Sequence, residues 1–384
     1  MPKAPRPLRD GSLAAALGVT RIARLTGLDR TGVEVASAVR PGAHVLQVTN
    51  GKGETFEPAA RGALLEAAEL WAAERAQVDA WGCASDLAAA HGEDAVVRPE
   101  ALAPERAEPG WAGLRLAWRA GQELLGGAPA LVPACAVHCP PAGGPLLGAA
   151  VVPWTSNGMG AHEDRAAALL HALLEAIERD LLARALPEGF TEEAVAARPP
   201  PPRSRPRAAP RAAELAARLE ARGFGVHLLD ASAPASAPAR GAAGAVPALP
   251  CAAALIADHE HGAVPLSAGY ACRLDRDDAL LAALLEAAQS RATEIHGARE
   301  DVAVGDRRAA TGLAALLGGT RARREAGRMQ GVRDAGDAAE AVRAVLALLR
   351  RARIARVVAV ELDAPPGVHV VKVVVPGLAL SELL

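Results

Sequence analysis

Ser156-Asn157-Gly158-Met159-Gly160-Ala161-His162-Glu163, running on into Glu175-Ala176-Ile177-Glu178-Arg179-Asp180, is the stretch on which the reading of this chain turns. A glycine-bearing turn feeds a helix pattern in which Leu169, Leu170, Leu173, Leu174, Ile177 and Leu181 recur at the spacing of a face packed on a core. Glu163, His171, Glu175 and Glu178 fall on a neighbouring stripe. Crowded carboxylates repel one another unless water, cations or arginines neutralise them, so the stripe suits a hard cation such as Mg2+. A solvated acidic helix face carries the same pattern, and this segment alone leaves both readings open.

A second segment weights the cation reading. Asn50-Gly51-Lys52-Gly53 precedes Pro58, and a helix is expected from about Ala59 to Arg75, with Glu66 and Glu69 adjacent on one face. Two helices then each carry a pair of glutamates. Such oxygen donors suit one or two Mg2+ ions and, through them, nucleotide phosphates, because Mg2+ takes few protein carboxylates and completes its shell with water and phosphate oxygens. Lys52 is expected in a flexible glycine-flanked loop within reach of a phosphate. The loop is not a Walker motif: the earlier glycine is missing and neither Ser nor Thr follows Lys52 directly. An ordinary hairpin turn reads the same way.

With these residues in place the chain resembles a known family. Arg24-Leu25-Thr26-Gly27-Leu28-Asp29-Arg30-Thr31-Gly32-Val33, Ala38-Val39-Arg40-Pro41, Gly51-Lys52-Gly53 and Glu66-Ala67-Ala68-Glu69 are similar to the opening of a YcaO-domain protein. Within that family they look most like the branch encoded beside a TfuA partner. The likeness continues through Leu131-Val132-Pro133-Ala134, the block from Ser156 to Asp180, Glu286-Ala287-Ala288-Gln289-Ser290-Arg291 and Gly297-Ala298-Arg299-Glu300-Asp301. It spans roughly residues 19–384, in order.

The resemblance implies an α/β (α+β) fold of mixed sheets with helices packed around an ATP cavity, and an enzyme that uses ATP and Mg2+ to activate a backbone amide of a peptide. Carried over position by position, Glu66, Glu69, Glu175 and Glu178 match acidic residues that hold Mg2+ and the nucleotide phosphates. Arg179 matches a nucleotide-contacting arginine, Arg291 is a further match, and Lys52 and Glu163 join the nucleotide side of the site. Two positions depart from the family pattern: Glu163 stands where Asn is usual, and Ala167 where a further acid is usual. Gly62 and Leu70 also stand where a hydroxyl residue and an arginine are common. Glu163 and position 167 are one helical turn apart, so Glu163, or His171 on the same stripe, is expected to replace the absent acid. Without that replacement the chain reads as a weakened, scaffold-like or peptide-binding member, since phosphoryl transfer depends on such electrostatics.

Composition agrees with a large enzyme domain. Apolar residues make up 51% of the chain, enough for a sizeable core, but aromatic residues only 2%, so packing must lean on Leu, Val and Ala. A net charge of -2 with so few rings gives no case for nucleic-acid binding. No apolar run approaches the length of a membrane span. Residues 1–18 are expected as a disordered tail, and Met1 to Gly11 does not read as a secretion signal. The cysteines at 83, 135, 139, 251 and 272, an odd number, are expected as free thiols in the cytoplasm. Cys135-Ala136-Val137-His138-Cys139, flanked by prolines, reads better as a buried strand end than as a zinc site, because no suitably spaced partners are visible.

The coarse order is strand 45–48, the first acidic helix, strand 149–153 and a long helix over 164–185. A proline-rich connection follows at 198–210, then helix 211–222, strand 225–230 and a mobile loop at 232–249. Strand 252–256, helices 277–296 and 337–352, and paired strands 357–362 and 368–375 complete it. Within the family, azoline-forming members often end in a proline-rich tail. Here Pro376 alone stands near the end, which resembles the TfuA-associated branch. Thioamide formation is therefore the leading expectation, with a TfuA-like protein delivering sulfur to a peptide or protein substrate. Cyclodehydration by a neighbouring substrate Cys, Ser or Thr is the alternative, and the resemblance leaves room for a homodimer.

Overall fold

The first acidic helix shows how closely backbones approach in this alanine-rich chain. In the computed structural model, which describes residues 10–108, 110–186, 189, 209–232, 249–260, 262–299, 310–313 and 336–379, helix α1 (Asp10–Leu17) leads to strands β1 (Arg21–Arg24), β2 (Glu34–Val39) and β3 (Val48–Gly53) and then to α2 (Phe56–Glu74). β1, β2 and β3 form an antiparallel sheet in that order, and α2 lies across it. Asn50-Gly51-Lys52-Gly53 is thus strand, not flexible loop: Val35 pairs with Lys52 and Ala36 with Gly51. Glycine is needed at 51 because a Cβ there would run into the Ala59 carbonyl and the Ala63 amide of α2.

Strands β4 (Ala80–Cys83), β5 (Arg115–Glu123), β6 (Pro129–Pro133) and β7 (Met159–His162) belong to the largest sheet with β11 (Val358–Leu362) and β12 (His369–Val374). Its order is β4-β5-β11-β12-β7, with β6 on β5. Short helices α3 (Ala84–His91) and α4 (Pro99–Leu102) fall between β4 and β5, and α5 (Arg165–Ala185) follows β7. The turn at Asn157-Gly158 therefore feeds a short strand before the helix. Gly160 in that strand lets α5 close on it, since a Cβ would strike the Ala168 carbonyl. No strand forms at 149–153.

Helix α6 (Pro210–Glu220), strands β8 (Phe224–Asp230), β9 (Cys251–Asp258) and β10 (Leu266–Cys272), and helix α7 (Arg276–His296) form the third unit, with sheet order β10-β9-β8. Helix α8 (Ala338–Arg351) packs on α5. Among the described residues the strand ladders are antiparallel. The α+β arrangement agrees with the expected fold class. Of the three main cores, two cover opposite faces of the largest sheet and the third joins β2 to the β8–β10 unit; all are built largely from Ala, Leu and Val.

The tail expected over 1–18 is corrected for its second half: α1 is a helix whose Leu13 and Leu17 bury against α2's core. Residues 1–9, most of the 198–210 connection and most of the 232–249 loop lie outside the described residues. All five cysteines are free thiols. Among the described residues no helix is long and apolar enough to cross a membrane.

Candidate active site

Four carboxylates are each held by a backbone amide from a strand that their own helix packs against or faces. The Asn50 N–H of β3 donates to Glu66 Oε2 at 2.8 Å, and the Ala161 N–H of β7 donates to Glu69 Oε1 at 2.9 Å. On the other side the Cys272 N–H of β10 donates to Glu178 Oε2 at 2.8 Å, and the Tyr270 N–H donates to Glu286 Oε1 at 3.2 Å. Glu175 has no such anchor among the described residues. Asn50 also ties the sheet to α7, accepting from Ser37 Oγ at 2.5 Å and donating to Thr293 Oγ1 at 2.7 Å. Helices α2, α5 and α7 are thereby aimed at one recess.

Cationic side chains enter the same recess. Lys52 Nζ lies 2.8 Å from Glu286 Oε2, Arg179 lies 3.9 Å from Glu178, and Arg299 lies 3.7 Å from Glu66. Lys372, on β12 and almost wholly buried, donates to the carbonyls of Thr155 and Asn157 at 2.6 Å each. His171 is exposed to solvent yet surrounded by protein, as a side chain lining a recess must be.

The electrostatics show that the two acidic pairs feel one another. Burial pushes Glu69 well above the usual carboxylate range, and Glu175 and Glu66 push it further. Burial raises Glu175 to about 7; Glu178 and Glu286 add to this while Arg179 and Lys372 oppose it. Glu178 is raised by burial and by Glu286. Glu286 is the exception: burial raises it, but Lys52, together with Arg179 and the Tyr270 N–H, holds it low. Burial lowers Lys372 to about 8 in spite of Glu175 and Glu69, and lowers His171 to about 4 with help from Arg273 and Lys52. The site is therefore rich in carboxylates that resist ionising until a cation arrives.

Of the residues singled out from sequence, Glu66, Glu69, Glu175, Glu178, Lys52 and Arg179 come together. Arg291 does not. It is buried with its Nε on Asp29 at 3.0 Å, its Nη2 on Asp258 at 2.7 Å and its Nη1 on the Val264 carbonyl, so its charge is matched by two carboxylates and three of its five N–H donors are taken within the protein. Glu163 is ion-paired with Arg61 of α2. The expectation that it replaces an acid at 167 fails on geometry: Asp164 caps α5, accepting the Ala167 N–H at 2.8 Å, so Glu163 precedes the helix and is not on its stripe. Glu286 and Lys372 were missed. Glu286 had a signal, since it lies in the same quoted motif as Arg291, but Lys372 sits in an apolar strand pattern that announces no site.

Comparison with known proteins fits this geometry. A family described as YcaO cyclodehydratase, ATP- and Mg2+-binding, matches residues 50–379. The chain belongs to the YcaO family. It is 32% identical over 314 residues to an uncharacterized protein of Methanothermobacter thermautotrophicus, covering 78% of this chain and 73% of that one. A protein named for the tfuA 3' region of Rhizobium leguminosarum bv. trifolii is 33% identical over 164 residues, covering 42% of this chain and 38% of that one. Among solved structures, YcaO from Methanopyrus kandleri bound with AMPPCP and Mg2+ superposes with a TM-score of 0.67 at 22% identity, over 97% of this chain and 89% of that one. A heterocyclase in complex with substrate and cofactor superposes with the same TM-score at 17% identity, over 98% of this chain and 53% of that one.

YcaO members bind ATP and Mg2+, and the donor set here fits both. Among the described residues no three His, Cys, Asp or Glu side chains form a ready cation cage. Mg2+ takes few protein carboxylates and completes its octahedron with water and phosphate oxygens.

Proposed function

We propose that this chain is an ATP-dependent enzyme that activates a peptide backbone amide, and that its reaction is thioamide formation on a ribosomally made peptide or protein. The observation that carries the reading is the convergence of Glu66, Glu69, Glu175 and Glu178 on the recess that also receives Lys52 and Arg179. In this role the four carboxylates are shared between one or two Mg2+ ions whose shells water and phosphate complete, and Lys52 and Arg179 face the phosphates. Bound Mg2+ supplies charge neutralisation for the polyphosphate, the main requirement of phosphoryl transfer. Sulfide or its carrier adds to the peptide carbonyl, and the oxyanion so formed takes the terminal phosphoryl group of ATP, a co-substrate. Phosphate then leaves with the former carbonyl oxygen.

A TfuA-like protein is the proposed sulfur-delivery partner. The likeness to the tfuA-region protein of Rhizobium supports this choice. Cyclodehydration by a substrate side chain is the second reading, favoured by the family's description. One experiment separates them: candidate peptide, ATP, Mg2+, sulfide and a TfuA-like protein are incubated with the chain and the peptide is weighed by mass spectrometry. Exchange of oxygen for sulfur supports thioamidation, loss of one water supports cyclodehydration, and ATP consumption with neither would count against both. Glu178→Gln, which keeps an acceptor for the Cys272 N–H, is expected to remain folded and to lose ATP turnover.

A further inference from the structure

Lys372 stands between the acidic recess and a second cavity. On one side its charge is felt by Glu69 and Glu175. On the other it lines a cavity of about 490 Å3 that contains none of the four carboxylates, a volume suited to a small ligand or a peptide residue. Leu102, Pro104, Val152, Val374 and Leu378 give this cavity apolar walls, and Ala176 of α5, the neighbour of Glu175, joins it to the site.

The inner end of the cavity is polar in a specific way. The Lys372 ammonium has three N–H donors, of which two go to the Thr155 and Asn157 carbonyls. Asn157 also lines the cavity, and its side-chain Oδ1 is buried with no hydrogen-bond partner. A buried acceptor without a partner is destabilising, which points to a ligand that supplies the missing donor. Gly158 fixes that asparagine in place. Its φ of 76° favours glycine, and a Cβ there would also meet the Val373 carbonyl.

A spare N–H and an unpartnered oxygen from two residues lining one cavity are the complement of one peptide group, which offers a C=O and an N–H. Apolar walls around that pair take an apolar side chain. We propose that this cavity is the substrate subsite, holding an apolar residue of the peptide with its backbone N–H on Asn157 Oδ1 and its carbonyl towards Lys372. The proposal rests on the peptide-activating reading above. It adds a preference that the reading does not contain: an apolar residue next to the activated amide, presented to the nucleotide across Lys372.

N-acetyl-leucine N-methylamide and its glycine analogue are suitable probes, followed on the full chain by saturation-transfer NMR, with ADP and Mg2+ titrated separately. The leucine probe is expected to bind at least about tenfold more tightly than the glycine probe, from burial of its side chain. Leu102→Trp and Pro104→Trp, which fill the cavity from its partly exposed rim, are each expected to abolish leucine-probe binding and leave ADP affinity unchanged. Asn157→Ala is expected to weaken the probe about tenfold. Equal binding of the two probes, or unaltered leucine-probe binding in both tryptophan variants, would overturn the subsite. So would a wild-type protein that binds ADP with Mg2+ but not the leucine probe. Failure of the wild type to bind ADP at all would instead sink the nucleotide reading and take the subsite with it.

Discussion

The Lys52 ammonium lies 2.8 Å from a carboxylate oxygen of Glu286, 234 residues further along the chain. The pair bridges β3 and α7 at the recess, so the lysine that is to face a phosphate is already neutralised by a carboxylate in the protein. An anion entering without its metal must compete with Glu286. Glu286→Gln keeps an acceptor for the Tyr270 N–H, removes the negative charge and leaves Lys52 unmatched. Binding of metal-free ADP, measured by calorimetry, is expected to strengthen several-fold. Unchanged or weaker binding would show that Lys52 does not meet the phosphates.

The acidic recess makes stability depend on pH. Burial holds Glu175 at about 7 in the folded chain against an ordinary 4.5, so the folded state keeps this proton over a range where the unfolded state has lost it. Its contribution is fully present below 4.5 and disappears as pH rises through about 7. His171 and His138, both lowered to about 4 by burial, act in the opposite sense between there and 6.5. The difference between wild type and Glu175→Gln isolates the carboxylate. Without nucleotide or Mg2+, denaturant titrations should show the wild type losing ~1–3 kcal/mol relative to the variant across that window. ADP with Mg2+ should flatten the difference; a difference that grows with pH in the other direction contradicts the crowded-carboxylate account.

Arg291 and Lys52 should part company under mutation. Asp29, Asp258 and Arg291 are each at most 4% exposed at the side chain, and Arg30 reaches the same Asp258. Removing the arginine leaves buried carboxylates short of their partner. Arg291→Met is expected to cost ~3–5 kcal/mol, read from thermal or denaturant unfolding, with nucleotide affinity lost only as far as the chain unfolds. Lys52→Met, at a partly exposed pair, should barely move the melting temperature and should weaken ADP binding about tenfold or more. A stable Arg291→Met that no longer binds ADP would restore the nucleotide role for that residue.

What was legible in the chain follows from periodicity. The long helices stand within a few residues of their expected bounds because Leu169, Leu173, Ile177 and Leu181 repeat at the helical period and are buried as a face. The glycine-rich strands were not legible. β3 and β7 look like turns because glycine usually signals one, whereas here Gly51 and Gly160 let α2 and α5 approach the strand backbones. The acidic pairs could be found because glutamates three apart on an otherwise apolar helix are conspicuous. Lys372 could not, because its role arises from the antiparallel pairing of β12 with β7, which brings it to Met159 and so beside the loop of Asn157. Arg291 misled for the opposite reason: its motif is plain, but its partners Asp29 and Asp258 lie on other elements.

The departure at Glu163 and Ala167 yields the sharpest mutational contrast. Asp164 accepts the Ala167 N–H as the cap of α5, which puts Glu163 outside the helix and its carboxylate on Arg61. Position 167, in contrast, is inside the first turn and partly exposed, with His171 and then Glu175 following at successive turns on the same stripe. A carboxylate added there joins the acidic recess and also suits the positive end of the helix, which favours acids by about 0.3–1 kcal/mol. Ala167→Glu is therefore expected to fold and to tighten Mg2+-dependent ADP binding several-fold, since one further carboxylate changes the local charge by a full unit where water is partly excluded. Glu163→Ala frees Arg61 and should alter the same affinity by less than about threefold, because an exposed or half-exposed ion pair contributes little. Calorimetric titration of both variants with ADP, at fixed Mg2+ and again without it, reads the contrast directly. If Glu163→Ala instead lost as much affinity as Glu175→Gln while Ala167→Glu gained none, Glu163 would be turning inward on ligand binding and leaving Arg61 to do so.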